Sequence, residues 1–209
     1  MTADTKLLLV RHGETEWNRR GKLQGWAPTP LTERGRQQAR RLGDALAGEY
    51  RIDRLRSSDL FRTRETTAEI VAAGVDVEPV FDRSWRERDM GVYQGFTRET
   101  LHDQFPSLAI ENGTVALEET PEGGESLVDL YDRVHTAWSE LCGEAAGETV
   151  LVVTHGGPIT VVLAALMELD LATAVERYSI GNCSLTAVRP GNGGLVRKNE
   201  QPFESLPGE

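Results

Sequence analysis

Four apolar residues in an unbroken run, LLLV at 7–10, stop at an arginine, a histidine and a glycine. A run with no polar alternation predicts a strand covered on both faces, as in a parallel sheet. Residues 13–30 carry Gly21, Gly25, Pro28 and Pro30 and read as loop. LTERGRQQARRLGDALAG (31–48) then has helical spacing: Thr32 is placed to cap, and Ala39, Leu42, Ala45 and Leu46 share one face. RLRSSDL (54–60) reads as a short strand and its exit. RTRETTAEIVAAG (62–74) reads as a helix closed by Gly74, and VDVEPVF (75–81) alternates as a strand does. Residues 88–125 are the least regular part, with one short helix expected near 97–105, and read as an inserted lid. GGESLVDLYDRVHTAWSELCGEA (123–145) is amphipathic over its whole length. TVLVVTHGG (149–157) repeats the opening pattern, with a helix expected from Pro158 as its first residue. NCSLTAVRP (182–190) is a late strand for GLVRKN (194–199) to pair with, and the tail from Gln201 reads as loose.

Strands alternating with helices predict an α/β fold: a three-layer α/β/α sandwich with a mostly parallel central sheet, one domain over 1–209, and a lid inserted at about 88–125. Ligands of such folds sit beyond the carboxyl ends of the strands. Arg11-His12-Gly13 and Thr154-His155-Gly156-Gly157 both fall there.

Composition sharpens the picture. Charged residues are 27% and apolar residues 39% of the 209, an ordinary globular balance. No secretory leader is visible, and the longest apolar stretch, 150–167, is broken by His-Gly-Gly-Pro, so it reads as strand, turn and helix rather than a membrane span. A cytoplasmic chain is expected, with Cys142 and Cys183 as buried free thiols. The net charge of −10 argues against nucleic acid as a partner. Among the 23 basic residues only positions 6, 22 and 198 are lysine. Acid excess with scarce lysine fits a high-salt habitat and fits GC-rich coding equally well. An anionic substrate suits this chain only if positive charge is gathered in one place.

An arginine at the end of a buried strand, Arg11, needs an anionic partner. Arg62, in SSDLFRTRET, follows another strand exit. Taken singly, these residues have plainer readings: a capping histidine, an exposed helix arginine, a surface charge cluster. If Arg11, Arg62, His12 and His155 converge, they form a cationic pocket in an acidic protein. Arginine forks match phosphate oxygens, so the expected ligand is a phosphate monoester. There is no GxxxxGK[ST], no GxGxxG, and no metal-ligand spacing among the histidines at 12, 102, 135 and 155. Phosphoryl transfer would then rest on side chains, without metal or cofactor. Histidine can be the nucleophile, kept neutral by nearby arginines. Glu87, between Arg86 and Arg88, points opposite to both in an extended segment. A carboxyl facing a phosphate holds its proton more tightly, as a general acid must.

LVRHGETEWN (9–18) resembles the signature of the histidine phosphatase superfamily, the phosphoglycerate mutase-like proteins. LTERGRQQA, SSDLFRTRET, RERDMGVYQG, GGES and VVTHGG follow in that family's order, so the resemblance spans nearly the whole chain. It implies that His12 is phosphorylated, that Arg11, Arg62 and His155 bind the phosphoryl group, and that Glu87 is the proton donor. It also implies phosphate contacts from Asn18 and the Gly156 N–H, and a homodimer, as is frequent in the family.

Three functions compete. The first is hydrolysis of small phosphorylated metabolites through a phosphohistidine. The second is a cofactor-dependent phosphoglycerate mutase. The third is a phosphate-ester binding module without turnover, disfavoured because every residue the mechanism needs is present. Against the mutase, the span from Glu87 to His155 is shorter than the corresponding insertion in such enzymes, and NCSLTAV looks like the phosphatase branch. Residues 99–125 contain no lysine or arginine but do contain Glu111, Glu118, Glu119, Glu122 and Glu125, a poor host for a bisphosphorylated ligand. Trp26, Phe96, Leu101 and Phe105 are expected either to line the leaving-group side or to form ordinary lid core. Ser57 and Ser58 are within reach of a substrate or simply end a strand.

Overall fold

The structure is a computed structural model and describes residues 5–105, 117–190 and 194–201. The first half of the chain forms β1 (Lys6–Arg11), α1 (Glu16–Arg19), α2 (Glu33–Glu49), β2 (Arg54–Ser57), α3 (Phe61–Ala72) and β3 (Pro79–Phe81). After 3₁₀ turns at Arg83–Trp85 and Gly91–Tyr93 come α4 (Arg98–Gln104), α5 (Leu127–Glu144), β4 (Thr149–Thr154), α6 (Gly156–Leu166), α7 (Leu171–Arg177), β5 (Leu185–Arg189) and β6 (Gly194–Glu200).

The LLLV run is continuous because both faces of the sheet are covered. Leu7 and Leu9 join Val150 and Val152 under α5 and α6, against Leu130, Val134, Trp138 and Ile159. Leu8 and Val10 join Leu151 and Val153 on the other face, against Ala39, Leu42 and Leu46 of α2 and Ile70 of α3. These are the three layers the sequence predicts. The strand order is β3-β2-β4-β1-β5-β6. The first four strands run parallel, and β5 and β6 are antiparallel additions. β4 comes late in the chain yet inserts between β2 and β1. Arg11 therefore lies opposite Thr154, and the two strand-His-Gly segments leave the sheet side by side.

Local signals fix the helices around that edge. The Thr32 hydroxyl accepts from Gly35 N at 3.0 Å, and Ser126 and Asp129 form a reciprocal capping box at the start of α5. Gly35 is required by proximity: a Cβ there would stand 2.2 Å from the Glu14 carbonyl oxygen, and one on Gly13 2.5 Å from that of Gly35. The start of α2 is thus pressed against the loop that follows His12.

Several expectations need correction. The stretch 13–30 is not all loop, because Thr15 and Asn18 cap each other reciprocally and nucleate α1. The strand expected over 75–81 shrinks to Pro79–Phe81. Val75 N bonds back to Ile70 O, and Val75 and Val77 pack into the core instead of pairing. The helix expected from Pro158 starts at Gly156. A proline in the first turn removes an N–H that has no intrahelical partner anyway. α7, capped by Asp170, was not anticipated. Cys183 is buried, but Cys142 is only half-buried. The lid expected over 88–125 contains α4 close to where a helix was placed, and its stretch 106–116 lies outside the described residues, as does most of the tail from Gln201. Among the described residues no helix is long and apolar enough to cross a membrane.

Candidate active site

β1 delivers Arg11 and His12 to the carboxyl edge of the sheet. His12 N donates to Thr154 O at 3.0 Å, and the His12 carbonyl accepts from Asn182 Nδ2 at 3.0 Å and Cys183 N at 3.2 Å. The backbone of His12 is therefore held from β4 on one side and from the turn that leads into β5 on the other. Its ring is buried, with 2% exposure, and Nδ1 lies 2.8 Å from the Gly13 carbonyl oxygen. A carbonyl only accepts, so Nδ1 carries the proton and Nε2 carries the lone pair. Arg62 Nε donates to that Nε2 at 3.2 Å, consistent with the same tautomer. Burial first, then Arg62 and Arg11, hold the His12 pKa well below the usual imidazole value. The ring is neutral and nucleophilic at physiological pH.

Arg62 enters from the first turn of α3 and is 1% exposed. Its Nη2 donates to Gly25 O at 2.8 Å and its Nη1 to Ala27 O at 3.4 Å. Arg36, Arg40, Arg54, Arg56, Arg86, Arg133 and Arg197 each reach a carboxylate. Among the described residues Arg62 forms no such ion pair. Burial pulls its pKa down to about 10, so it remains a cation. A buried cation without a carboxylate partner marks an anion site. Arg11, at the strand end, donates through Nη1 to Ile180 O.

His155 caps α6 with its backbone and sits beside His12, the ring centroids 5.3 Å apart. It is fully buried, and Nε2 lies 2.8 Å from Ser58 Oγ. Among the described residues its Nδ1 has no hydrogen-bond partner. Burial, then Arg62, His12 and Arg11, keep its pKa low as well. The glycines after it open α6, whose positive end favours anions. Glu87 occupies that end. Its Oε2 accepts from Gly157 N at 3.2 Å and its Oε1 from Arg88 N at 3.0 Å.

Arg11, His12, Asn18, Arg62, Glu87 and Gly156 line one cavity of about 780 Å³. His155 stands behind His12 instead of on the cavity wall. Asn18 accepts from Thr15 and Asn182 through Oδ1, and among the described residues its Nδ2 donates to none. The rest of the wall is largely apolar, including Leu127, Val161, Leu171, Val175 and Ile180.

The geometry revises some secondary expectations. Glu87 does face the cavity while Arg86 turns away to Asp59, but Arg88 also lines it, drawn toward the carbonyls of Glu125 and Glu119. Of Trp26, Phe96, Leu101 and Phe105, only Leu101 lines the cavity. Trp26 donates to Glu87 O at 2.8 Å and stacks on Arg86, while Phe96 and Phe105 pack around Tyr93. Ser57 and Ser58 do not face the cavity: Ser58 holds His155, and Ser57 bonds to Thr67 and to the Ser58 carbonyl. Sequence reasoning missed Asn182, Lys22, Gln24 and Arg133. The one available signal was Asn182, the first residue of NCSLTAV, three positions before β5 begins. Lys22 and Arg88 put two further cations on the cavity wall, outside the 99–125 window that lacks them.

The chain is similar to known proteins over most of its length. The profile of the histidine phosphatase superfamily (branch 1) matches residues 7–200. A probable phosphoglycerate mutase, GpmB of Salmonella choleraesuis (strain SC-B67), is 36% identical over 185 residues, covering 88% of this chain and 84% of its own. A phosphoserine phosphatase variant from Entamoeba histolytica, in complex with phosphoserine, superposes with a TM-score of 0.83 at 27% identity, covering 95% of this chain and 98% of that one. A mycobacterial glucosyl-3-phosphoglycerate phosphatase with VO3 gives a TM-score of 0.73 at 29% identity, with 88% and 90% coverage.

Proposed function

Since the chain belongs to the histidine phosphatase superfamily, we propose that it hydrolyses small phosphomonoesters through a phosphohistidine on His12. The observation that carries this reading is the neutral His12 ring, its Nε2 facing the buried Arg62 guanidinium, which among the described residues has no carboxylate in ion-pair contact. His12 Nε2 attacks phosphorus as the phosphorus–oxygen bond to the alcohol breaks. Glu87 gives its proton to the departing alcohol oxygen. The carboxylate so formed then takes a proton from water, whose oxygen attacks phosphorus as the phosphorus–nitrogen bond breaks. Inorganic phosphate leaves, and His12 and Glu87 return to their starting states. Arg11, Arg62, the Asn18 amide and the Gly156 N–H hold the phosphoryl oxygens and offset the charge that builds on them, while His155, off the cavity wall, backs the His12 ring. Apart from the substrate and the attacking water, the groups this scheme uses are side chains and a backbone amide of the chain itself.

Two phosphatases among the structural relatives support hydrolysis. The mutase reading draws on the mutase-named relative and on Lys22 and Arg88, cations able to meet a second anionic group. One assay separates the two. The protein is incubated with EDTA and either 3-phosphoglycerate, primed by trace 2,3-bisphosphoglycerate, or a panel of phosphate esters. Free phosphate and 2-phosphoglycerate are followed together. Phosphate release without isomerisation is expected, and its loss in His12→Ala. Isomerisation without release would assign the mutase; a His12→Ala protein that still turns over would mean another nucleophile.

A further inference from the structure

Residues 84–89 carry the proton donor but belong to no strand, so their carbonyls have no ladder to join. Arg133, in the middle of α5, supplies the missing donors. Its Nη1 lies 2.9 Å from Ser84 O and 3.0 Å from Arg86 O, and its Nη2 lies 3.3 Å from Glu87 O. Its remaining valences go to Glu125, with Nε at 2.9 Å from Oε1 and Nη2 at 2.7 Å from Oε2. Glu125, at the far end of the lid, holds the same segment from the other side. Its Oε2 accepts from Asp89 N at 3.1 Å, its N donates to Asp89 O at 2.9 Å, and its carbonyl accepts from Arg88 Nε at 2.7 Å. One ion pair therefore brackets Glu87 along the backbone on both sides. Neither residue lines the cavity.

We infer that Arg133 and Glu125 are positioning residues for the proton donor. Together they fix the Glu87 backbone so that its carboxyl stands at the alcohol oxygen of the bound ester. This rests on the role proposed above for Glu87. A planar guanidinium suits the task because its fork reaches several carbonyls and a carboxylate at once, which an ammonium does not. Misplacing a reacting group by about 1 Å is enough to cost on the order of 100-fold in rate. Trp26 keeps its own bond to Glu87 O when Arg133 is gone, so the segment is loosened but not released.

The test reads the burst of alcohol release, which reports phosphorylation of His12 and not the later attack of water, for an alkyl phosphate, whose alkoxide must be protonated, and for p-nitrophenyl phosphate, whose phenolate leaves unaided. Arg133→Gln and Glu125→Gln should each lower the burst rate for the alkyl ester by about 10- to 100-fold. With p-nitrophenyl phosphate the loss should stay within about threefold, and KM should hardly change. Arg133→Lys should recover part of the loss. In a Glu87→Gln background, adding Arg133→Gln should have no further effect, since a residue that acts through Glu87 has nothing left to position. Equal slowing of both esters, or full additivity with Glu87→Gln, would overturn the inference and leave Arg133 as a merely structural group. If Arg133→Gln does not fold, Glu125→Gln decides by the same comparison. If Glu87→Gln itself slows both esters equally, the proposed proton donor is wrong, and the inference falls with it.

Discussion

His12 and His155 are buried where their charged forms are disfavoured, and two arginines stand over them. In the proposed reaction that arrangement supplies a nucleophile without a separate base, and it also ties folding to pH. Below about pH 6.5 the unfolded chain protonates both rings, while the folded chain resists until lower pH. The unfolded state then binds more protons, so this contribution to stability is full above about pH 6.5 and is lost as pH falls toward the depressed folded values. Denaturant titrations between about pH 8 and pH 5 should show the midpoint falling, with a flatter slope in His12→Asn. A wild-type midpoint independent of pH would contradict the burial of neutral rings. The residues that were legible in the sequence share one property: each breaks its local pattern. Arg11 and His12 interrupt an apolar run, and Glu87 sits between two arginines. Arg133 and Gln24 break nothing. A polar residue on an amphipathic helix or in a loop gives no local hint of what it touches 46 or nine residues away.

At the scale of elements, α6 matters more for how it begins than for what it packs. Its second residue, Gly157, offers its N–H to Glu87, and a Cβ there would stand 2.1 Å from Glu87 Oε1 and 3.1 Å from Leu130 Cδ2. The carboxyl end of a side chain moves more readily than backbone does. Gly157→Ala should therefore fold, yet lose on the order of 100-fold in turnover of alkyl phosphates, with a smaller loss for p-nitrophenyl phosphate. Steady-state rates alongside a melting curve check both halves. Unchanged rates would mean that the Glu87 carboxyl does not need this seat. Long elements with an unambiguous period, such as α2 and α5, were readable because their buried faces run for several turns. The failures fell on short elements. α1 depends on one capping pair, α7 on one aspartate, and β3 on a proline that leaves only three residues to pair. The order β2-β4-β1, which brings the two histidines together, was not legible in detail, because strand neighbours separated by more than 90 residues leave no local trace.

The molecule as a whole is acidic, with a formal charge of −10, yet its cavity wall carries Arg11, Lys22, Arg62 and Arg88. Many arginines elsewhere are engaged with carboxylates, so the cationic field is concentrated at the carboxyl edge of the sheet. Excess like charge opposes the compact state, and salt screens it over a Debye length of about 10 Å at 0.1 M. The melting temperature should accordingly rise when NaCl is increased from about 0.01 M to about 0.15 M. A fall would mean that surface ion pairs outweigh the self-repulsion. The cavity also divides by origin. One end holds Arg11 and His12 at the terminus of a strand locked into a six-stranded sheet, while much of the apolar end comes from the flanks of α5, α6 and α7. A substitution at Leu171 or Val175 would therefore reshape the far wall of the cavity without touching the strand end that holds Arg11 and His12.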